Sequence, residues 1–408
     1  MHLPMKGVRV LEVAQWTYVP SAGAVLADWG AEVVKIEHPV SAEAQRGILQ
    51  TGTVKMSGTD VNAFMEHPNR GKRSIGLDIA TDDGRELLYE IARSSDVFLT
   101  NFLPPARRKL GIDVEHIRAQ NPDIVYVRGS AYGARGDEYE KGGYDMTGFW
   151  CRAGSASGVT PPMLPGVLAQ PAPGYGDSIG GMTIAGGSAA ALFARERTGE
   201  TSVVDVSLLS TGMWAMGIAI DLSLQNREPW HSNEQRSAGA ASNPLVGVYP
   251  TKDGRYMSLV MLQPFRFWPD FCRHVGKPEW IDDERFDTVE KLMGNAGEAR
   301  AMIETVMQTR TLAEWSKSFA TLEGQWAPVQ NTVEIADDPQ VRANGYIVDV
   351  DKGDGASFPV VANPVQFDER PPEIRRAPEH AQDTESFLLE MGVAWERIEA
   401  LKRSGAIS

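Results

Sequence analysis

Asp177 stands in the run Gly174-Tyr175-Gly176-Asp177-Ser178-Ile179-Gly180-Gly181, a carboxylate between a glycine-rich turn and a small-residue helix pattern over 178–195. At a helix N-terminus a carboxylate is held as the anion by unpaired N–H groups and the helix dipole. With open space beside it, that anion can attack a carbonyl carbon. Asp is also among the preferred N-cap residues, so the run alone fits a plain cap as well as a nucleophile. Two basic clusters, Arg70 with Lys72 and Arg73, and Arg107-Arg108-Lys109, suit either phosphate groups or solvated helix faces. The seven histidines (2, 38, 67, 116, 231, 274 and 380) show no metal-ligand spacing such as HExxH, which argues against a metal enzyme.

The elements that would position these residues follow from periodicity. Residues 8–13 form a strand pattern, Pro20 opens a helix that stops at Gly30, and 32–37 is the next strand. Such a βαβ unit predicts parallel pairing with a right-handed crossover. The pattern recurs: strands at 73–77, 96–100 and 124–128, with a Thr81-capped helix to about Arg93 and short helices near 105–110 and 113–120. After the Asp177 helix come a strand at 201–206 and a helix over 207–225. Strands alternating with helices predict an α/β open parallel sheet of Rossmann-like type. Residues 226–245 read as a linker, 245–262 as a hairpin turning at Lys252-Asp253-Gly254, and later helices near 264–275, 295–308 and 311–320 make a smaller α+β unit. Helices at 383–391 and 394–404 end the chain. The expected domains are therefore 1–225, 226–330 and a return segment 331–408 that packs on the large domain.

The length, 408 residues, exceeds one ordinary core. A formal net charge of −14 argues against nucleic-acid or anionic-membrane partners. Two distant cysteines, Cys151 and Cys272, suit a reducing cytoplasm, no signal peptide is visible, and 180–194 is too short and too rich in Gly and Ser to span a bilayer. Neither GxGxxG nor GxxxxGK[ST] follows the first strand, which disfavours a standard dinucleotide site and excludes a P-loop. Ligands of open α/β sheets bind beyond the carboxyl ends of the strands. Those ends carry Gln15-Trp16-Thr17-Tyr18, His38-Pro39, Asp78-Ile79-Ala80, Asn101-Phe102-Leu103-Pro104 and the glycine-rich stretch 129–145. Trp16, Trp150, Trp214, Trp230 and Trp268 are available either to an acyl pocket or to the core.

Taken in order, several segments resemble the class III (CaiB/BaiF-type) CoA-transferases, a family that includes formyl-CoA and carnitine CoA-transferases and α-methylacyl-CoA racemases. The resemblance is carried by residues 26–37 (LADWGAEVVKIE), 69–75 (NRGKRSI), Asn101-Phe102-Leu103-Pro104, Gly143-Tyr144-Asp145, Gly176-Asp177 and 204–209 (VDVSLL), and spans nearly the whole chain. It implies a Rossmann-like large domain with a smaller α+β domain, and an intertwined homodimer. It places Asp177 at the position of the transferase nucleophile. It also implies that coenzyme A, as a substrate and not a tightly bound cofactor, lies along Thr17, Tyr18, His38, Leu77, Asp78, Ile79, Ala80, Asn101, Phe102, Leu103, Lys109, Gly142, Gly143, Tyr144 and Asp145. The implied partners are an acyl-CoA donor and a carboxylic-acid acceptor, joined through an aspartyl mixed anhydride and an aspartyl-CoA thioester. Two departures stand out: Tyr18-Val19-Pro20 replaces the family's Ala-Gly-Pro, and His38 stands where a relative has Arg, so a fixed cation becomes a pH-dependent one. Racemisation is disfavoured because Tyr144 occupies the position of the racemase His, and a phenol is a poor base at neutral pH. Thioester hydrolysis and inert CoA binding are the remaining alternatives.

Overall fold

The computed structural model describes residues 3–48, 50–51, 54–55, 61–232, 243–353 and 355–408. It divides into two compact units. One comprises Met1–Gly158, Pro165–Trp230 and Pro339–Ser408, the other Val159–Leu164 and His231–Asp338.

In the first unit the chain runs β1 (Arg9–Val13), α1 (Tyr18–Asp28), β2 (Glu32–Glu37), the short pair β3 (Gln50–Thr51) and β4 (Val54–Lys55), α2 (Ala63–Asn69) and β5 (Arg73–Gly76). It continues with α3 (Asp82–Arg93), β6 (Val97–Thr100), α4 (Pro104–Leu110), α5 (Val114–Gln120) and β7 (Val125–Ser130). A π-helical turn at Met146–Cys151 and α6 (Ser155–Val159) precede α7 (Tyr175–Thr198), β8 (Val203–Ser207), α8 (Leu208–Ala215) and α9 (Gly217–Asn226). Six strands form one sheet in the order β5-β2-β1-β6-β7-β8, and every pairing is parallel. The sheet is packed on both faces, so strands such as β6 are buried throughout. The order runs one way from β1 through β2 to β5 and the other way from β6 to β8. The crevice between the carboxyl ends of β1 and β6 is therefore the topological switch point, where open α/β sheets bind ligands.

Several boundaries differ from the sequence pattern. Helix α1 starts at Tyr18, two residues before Pro20, and α7 starts at Tyr175. The helix expected over 207–225 is interrupted at Met216. Thr81 caps α3 as expected, its Oγ1 accepting the Gly84 N–H at 3.1 Å. Part of the expected linker, 233–242, lies outside the described residues.

The second unit carries β9 (Val246–Pro250), β10 (Tyr256–Val260), α10 (Pro264–His274), α11 (Val289–Gly294), α12 (Ala296–Met307), α13 (Leu312–Ser318) and β11 (Trp326–Pro328). β9 and β10 form the expected hairpin, and β11 adds a third antiparallel strand that periodicity had not shown. Its core is aromatic, with Trp268, Phe271, Phe286, Trp315 and Phe319 packed together, so Trp268 is a core residue. The return to the first unit begins with α14 (Pro339–Ala343), followed by the hairpin β12 (Ile347–Asp351) and β13 (Ser357–Val361), then α15 (Thr384–Glu390) and α16 (Trp395–Ser404). Phe387, Leu388, Ile398 and Leu401 of this return segment join the sheet core.

Beneath α1 lies a buried ionic cluster. Glu12, on β1, accepts from Lys72 Nζ at 2.7 and 2.8 Å and from Lys35 Nζ at 3.2 Å. Lys35 also pairs with Glu43 at 2.9 Å, and Lys72 donates to the Pro20 carbonyl and Asn69 Oδ1. Burial pulls the Lys72 ammonium down to about 8, with Glu12 opposing the fall. Arg70 is spent on Asp28, and Arg73 on Glu32 and Glu390. The first basic cluster is thus neither a phosphate site nor a solvated face. It ties β1, β2 and the start of β5 together under the first loop. Removing one member of a buried ion pair leaves an uncompensated charge. Glu12→Gln should therefore lower stability by about 3–5 kcal/mol in urea unfolding, because Lys72 loses its direct carboxylate partner. An unchanged midpoint would show that the cluster contributes little.

Candidate active site

The loop after β1 is fixed from three sides. Asn101, at the end of β6, uses its side-chain amide as a strand surrogate: Oδ1 accepts the Gln15 N–H at 3.0 Å and Nδ2 donates to the Gln15 carbonyl at 2.6 Å. Glu43 Oε1 accepts the Trp16 N–H at 2.9 Å, and Gln45 Nε2 donates to Thr17 Oγ1 at 2.7 Å. Between these clamps Trp16 has φ 66°, a left-handed conformation that is costly for a bulky residue and persists only where surroundings enforce it. Its indole meets Tyr144 edge-to-face at 5.7 Å.

Thr17, with its hydroxyl engaged by Gln45, makes no side-chain cap for α1, so that helix opens with N–H groups that have no partner among the described residues. The Tyr18 side chain turns inward. Its ring fills space left by Gly180, where a Cβ would come within 2.2 Å of Tyr18 Cε2. The bulkier Tyr18 is accommodated in this way by a glycine on α7, not by widening the turn. Its buried hydroxyl lies by Thr211 without a hydrogen bond of good geometry. Burial raises the phenol well above its ordinary pKa, with Thr211 opposing and Asp177 adding to the rise.

At the start of α7 the roles differ from the simplest sequence reading. Asp177 is not the N-cap, because that position is Gly174, and the peptide N–H groups of the first turn do not serve Asp177. They turn to Asp145: Gly176 N–H donates to Asp145 Oδ1 at 3.1 Å, and the Tyr175 and Asp177 N–H groups face the same carboxylate. Gln170 Nε2 holds Asp145 Oδ2 at 3.0 Å. A side chain at Gly176 would collide with Phe149 and Asp145, so glycine is what allows this approach. Asp177 is left half-buried, with no hydrogen bond to its carboxyl among the described residues. Burial first, and the charge of Asp145 second, push its pKa up to about 7. The group is less an anion held by the helix than a carboxyl deprived of such support.

Asp177 opens into a cleft of about 770 Å³ at the β1/β6 switch point. Tyr18, Asn101, Phe102, Leu103, Gly142, Gly143 and Tyr144, all expected along coenzyme A, line it together with Trp16, Tyr132 and Leu208. Asp145 lies buried behind this wall. Thr17 lies on the adjoining loop and does not line the cleft. His38, Asp78 and Ala80 gather elsewhere on the same sheet edge, at the ends of β2 and β5. Val40 and Ser41 N–H groups both donate to His38 Nδ1 at 3.1 Å, so the neutral ring carries its proton on Nε2, 3.8 Å from Asp78 Oδ2. Leu77 and Ile79 are core residues, with Leu77 bridged to Ile407 and the Asp78 N–H bonded to the Ala406 carbonyl. Their side chains are turned into the core, so a ligand here would meet these two residues through the backbone. On α4, Arg107 is buried against Asp113 and Arg108 pairs with Glu140, whereas exposed Lys109 forms no ion pair among the described residues. Gln170 had no sequence signal, since it sits in an irregular loop whose path only the tertiary structure sets, and Tyr132 was marked only as part of the strand-end stretch 129–145.

The family model for CoA-transferase family III matches residues 5–384. The chain belongs to that family, and it is a CoA-transferase enzyme. It is 29% identical over 406 residues, covering 99% of both chains, to (R)-2-hydroxy-4-methylpentanoate CoA-transferase of Clostridioides difficile. It is 30% identical to cinnamoyl-CoA:phenyllactate CoA-transferase of Clostridium sporogenes, covering 97% of this chain and 95% of the relative. Among solved structures it is similar to Rv3272 of Mycobacterium tuberculosis, with TM-score 0.78 and 25% identity over 94% of this chain and 98% of that one.

The elevated pKa of Asp177 has a stability consequence. Its folded value near 7 exceeds the unfolded value near 3.9. The protonated folded form is therefore favoured at low pH, and that contribution is lost as pH rises through 7. Asp177→Asn cannot ionise, so its stability advantage over the parent should grow from pH 4 to 7 and level off above. The gain should be on the order of 1–3 kcal/mol after allowing for solvent at the half-buried carboxyl. Thermal unfolding across pH 4–8.5 reads it, and a constant difference would contradict the assignment.

Proposed function

We propose that the protein moves CoA from an acyl-CoA thioester to a carboxylic acid through covalent intermediates on Asp177. The single observation that carries this is a half-buried carboxyl, without a hydrogen bond among the described residues, opening into the switch-point cleft. Deprotonated Asp177 attacks the thioester carbonyl, and the C–S bond breaks to give an aspartyl mixed anhydride and CoA thiolate. The thiolate attacks the Asp177 carbonyl, releasing the donor acid and leaving an aspartyl-CoA thioester. The acceptor carboxylate then attacks the same carbonyl, and the freed thiolate takes the new acyl group, restoring Asp177. Backbone donors for the oxyanion are scarce at the start of α7, where Gly176 N–H is spent on Asp145 and Ser178 N–H on the Gly174 carbonyl. The uncapped start of α1, with the N–H group of Tyr18, a residue that lines the cleft, is the better candidate.

Coenzyme A would run from His38, Asp78 and Ala80 toward Asn101, Phe102 and Leu103, with Lys109 free to meet a phosphate. Its thioester would then reach Asp177 between Gly142-Gly143-Tyr144 and Trp16. The acyl end of the cleft favours a large apolar monocarboxylic acid. Trp16, Tyr132, Tyr144 and Leu208 supply the apolar wall. Its cations are already paired, Arg107 with Asp113, Arg108 with Glu140, Arg128 with Asp205 and Lys141 with Glu138. None is left for the second carboxylate of a dicarboxylic acid. The two clostridial relatives, whose names specify branched or aromatic acids, agree with this choice.

A homodimer is part of the same reading. No residue of α9 is buried, and Ile218, Leu222 and Leu224 face solvent beside Trp214, which is 87% exposed. Soluble monomers rarely leave so continuous an apolar face uncovered. A second copy of the chain would cover it. No helix among the described residues is long and apolar enough to cross a membrane. Cys151 and Cys272 are unpaired, which fits a cytoplasmic protein.

Cinnamoyl-CoA and 4-methylpentanoyl-CoA, screened against carboxylic acids by mass spectrometry, should support exchange at least tenfold faster than succinyl-CoA. Asp177→Asn should lower that exchange by about a thousandfold or more. Exchange that survives in Asp177→Asn would refute the covalent path, and a preference for succinyl-CoA would refute the acyl assignment. In Trp16→Ala the kcat/KM for cinnamoyl-CoA should fall about tenfold, with a smaller change for acetyl-CoA.

A further inference from the structure

The carboxyl group that decides how Asp177 behaves is not in the cleft. Asp145 sits behind it, buried, and takes the N–H groups at the start of α7 together with the side-chain amide of Gln170. These are the donors that would otherwise stabilise Asp177 as a weakly nucleophilic anion. We propose that Asp145, gripped by Gln170 and the Gly176 peptide, is a positioning residue. It occupies the α7 terminus so that Asp177 stays unbonded and basic enough to attack a thioester. This role rests on the proposed use of Asp177 as the nucleophile and extends it to a residue that never touches the substrate.

The geometry supports a division of roles between two carboxyls in different surroundings. Burial raises the pKa of Asp145 too, but Asp145 receives hydrogen bonds on both oxygens that oppose the rise, whereas Asp177 receives none among the described residues. Gly176 is the hinge of this arrangement. Any Cβ there would fall 2.5 Å from Asp145 Oδ1, so the carboxylate reaches the peptide only because that side chain is absent. The other groups that face Asp177 do not reproduce the effect. Tyr18 of α1 is a buried phenol held protonated. His67 of α2 bonds the neighbouring Ser178 Oγ at 3.0 Å, not Asp177. The four cleft cations are neutralised by their own acids, and Tyr132, Tyr139 and Tyr144 are phenols on the open wall.

The test is a carboxyl titration that requires no substrate. In full-length protein labelled with carbon-13 at the Asp side-chain carboxyls, the resonance lost in Asp177→Asn belongs to Asp177. In Asp145→Asn the amide oxygen can still accept the Gly176 N–H while the charge is removed, and in Asp145→Ala those N–H groups are freed as well. The Asp177 midpoint should fall by about one pH unit in Asp145→Asn and further in Asp145→Ala; an equal fall in both would overturn the proposed occupation of the helix start. In Gln170→Leu, which keeps the charge but removes one donor, the Asp145 resonance should itself titrate at higher pH. An Asp177 midpoint unmoved in Asp145→Asn, or an Asp145 resonance unmoved in Gln170→Leu, would overturn the proposal. Gln170→Leu stands if the Asp145 variants do not fold. A shift in titration together with CoA exchange that survives in Asp177→Asn would instead count against Asp177 as the nucleophile, leaving only the effect of Asp145 on its ionisation.

Discussion

A helix terminus offers a limited set of free peptide N–H groups, and here two carboxyl groups stand at the same one. Asp145 has those donors, and Asp177 does without. The chemistry of the site depends on that allocation. A carboxylate satisfied by a helix start is stable and unreactive, whereas a half-buried one without donors holds its proton more tightly and its anion is a stronger nucleophile. Local architecture enforces the choice: Gly176 admits Asp145, and Gly180 admits the Tyr18 ring that closes the floor beside Asp177.

The same principle governs the opposite wall. The loop after β1 must hold Trp16 in a strained backbone conformation, and three side chains from two segments, Asn101 after β6 and Glu43 and Gln45 after β2, fix it there. One of them, Glu43, also pairs with Lys35, which pairs with Glu12, which in turn holds Lys72. A continuous set of buried ion pairs therefore runs from the sheet centre to the rim of the cleft. It explains why charges are buried under α1 at all. Their desolvation cost is offset by mutual pairing, and the outcome is a rigid loop where a ligand must be aligned.

The sheet was legible from sequence because alternation of strand and helix periods recurs from Arg9 to Ser207 with recognisable caps such as Thr81. The site was legible only in part. Glycine-rich stretches and strand-end residues pointed to Asp177, Asn101 and Gly142–Tyr144, since the carboxyl edge of a parallel sheet is where a ligand must lie. What sequence could not show is where each side chain's hydrogen bonds go. Asn101 spends its amide on the Gln15 backbone, and Arg70, Lys72 and Arg107 spend their charges on buried acids. Leu77 and Ile79, one and three residues past the end of β5, turn into the core. Those outcomes depend on partners tens to hundreds of residues away, for which local pattern carries no signal. Strand β11 and the hairpin β12–β13 were missed for a related reason, being short segments whose pairing is decided by tertiary contact.

The central claim is that the oxygen atoms of Asp177 enter and leave the reaction. With oxygen-18 in the carboxyl group of the acceptor acid, each turnover should leave label in Asp177, detectable by mass spectrometry of the peptide that contains it. Incorporation that rises with turnover and is absent without acyl-CoA is the predicted result. Sustained CoA exchange with no label at Asp177 would contradict the account.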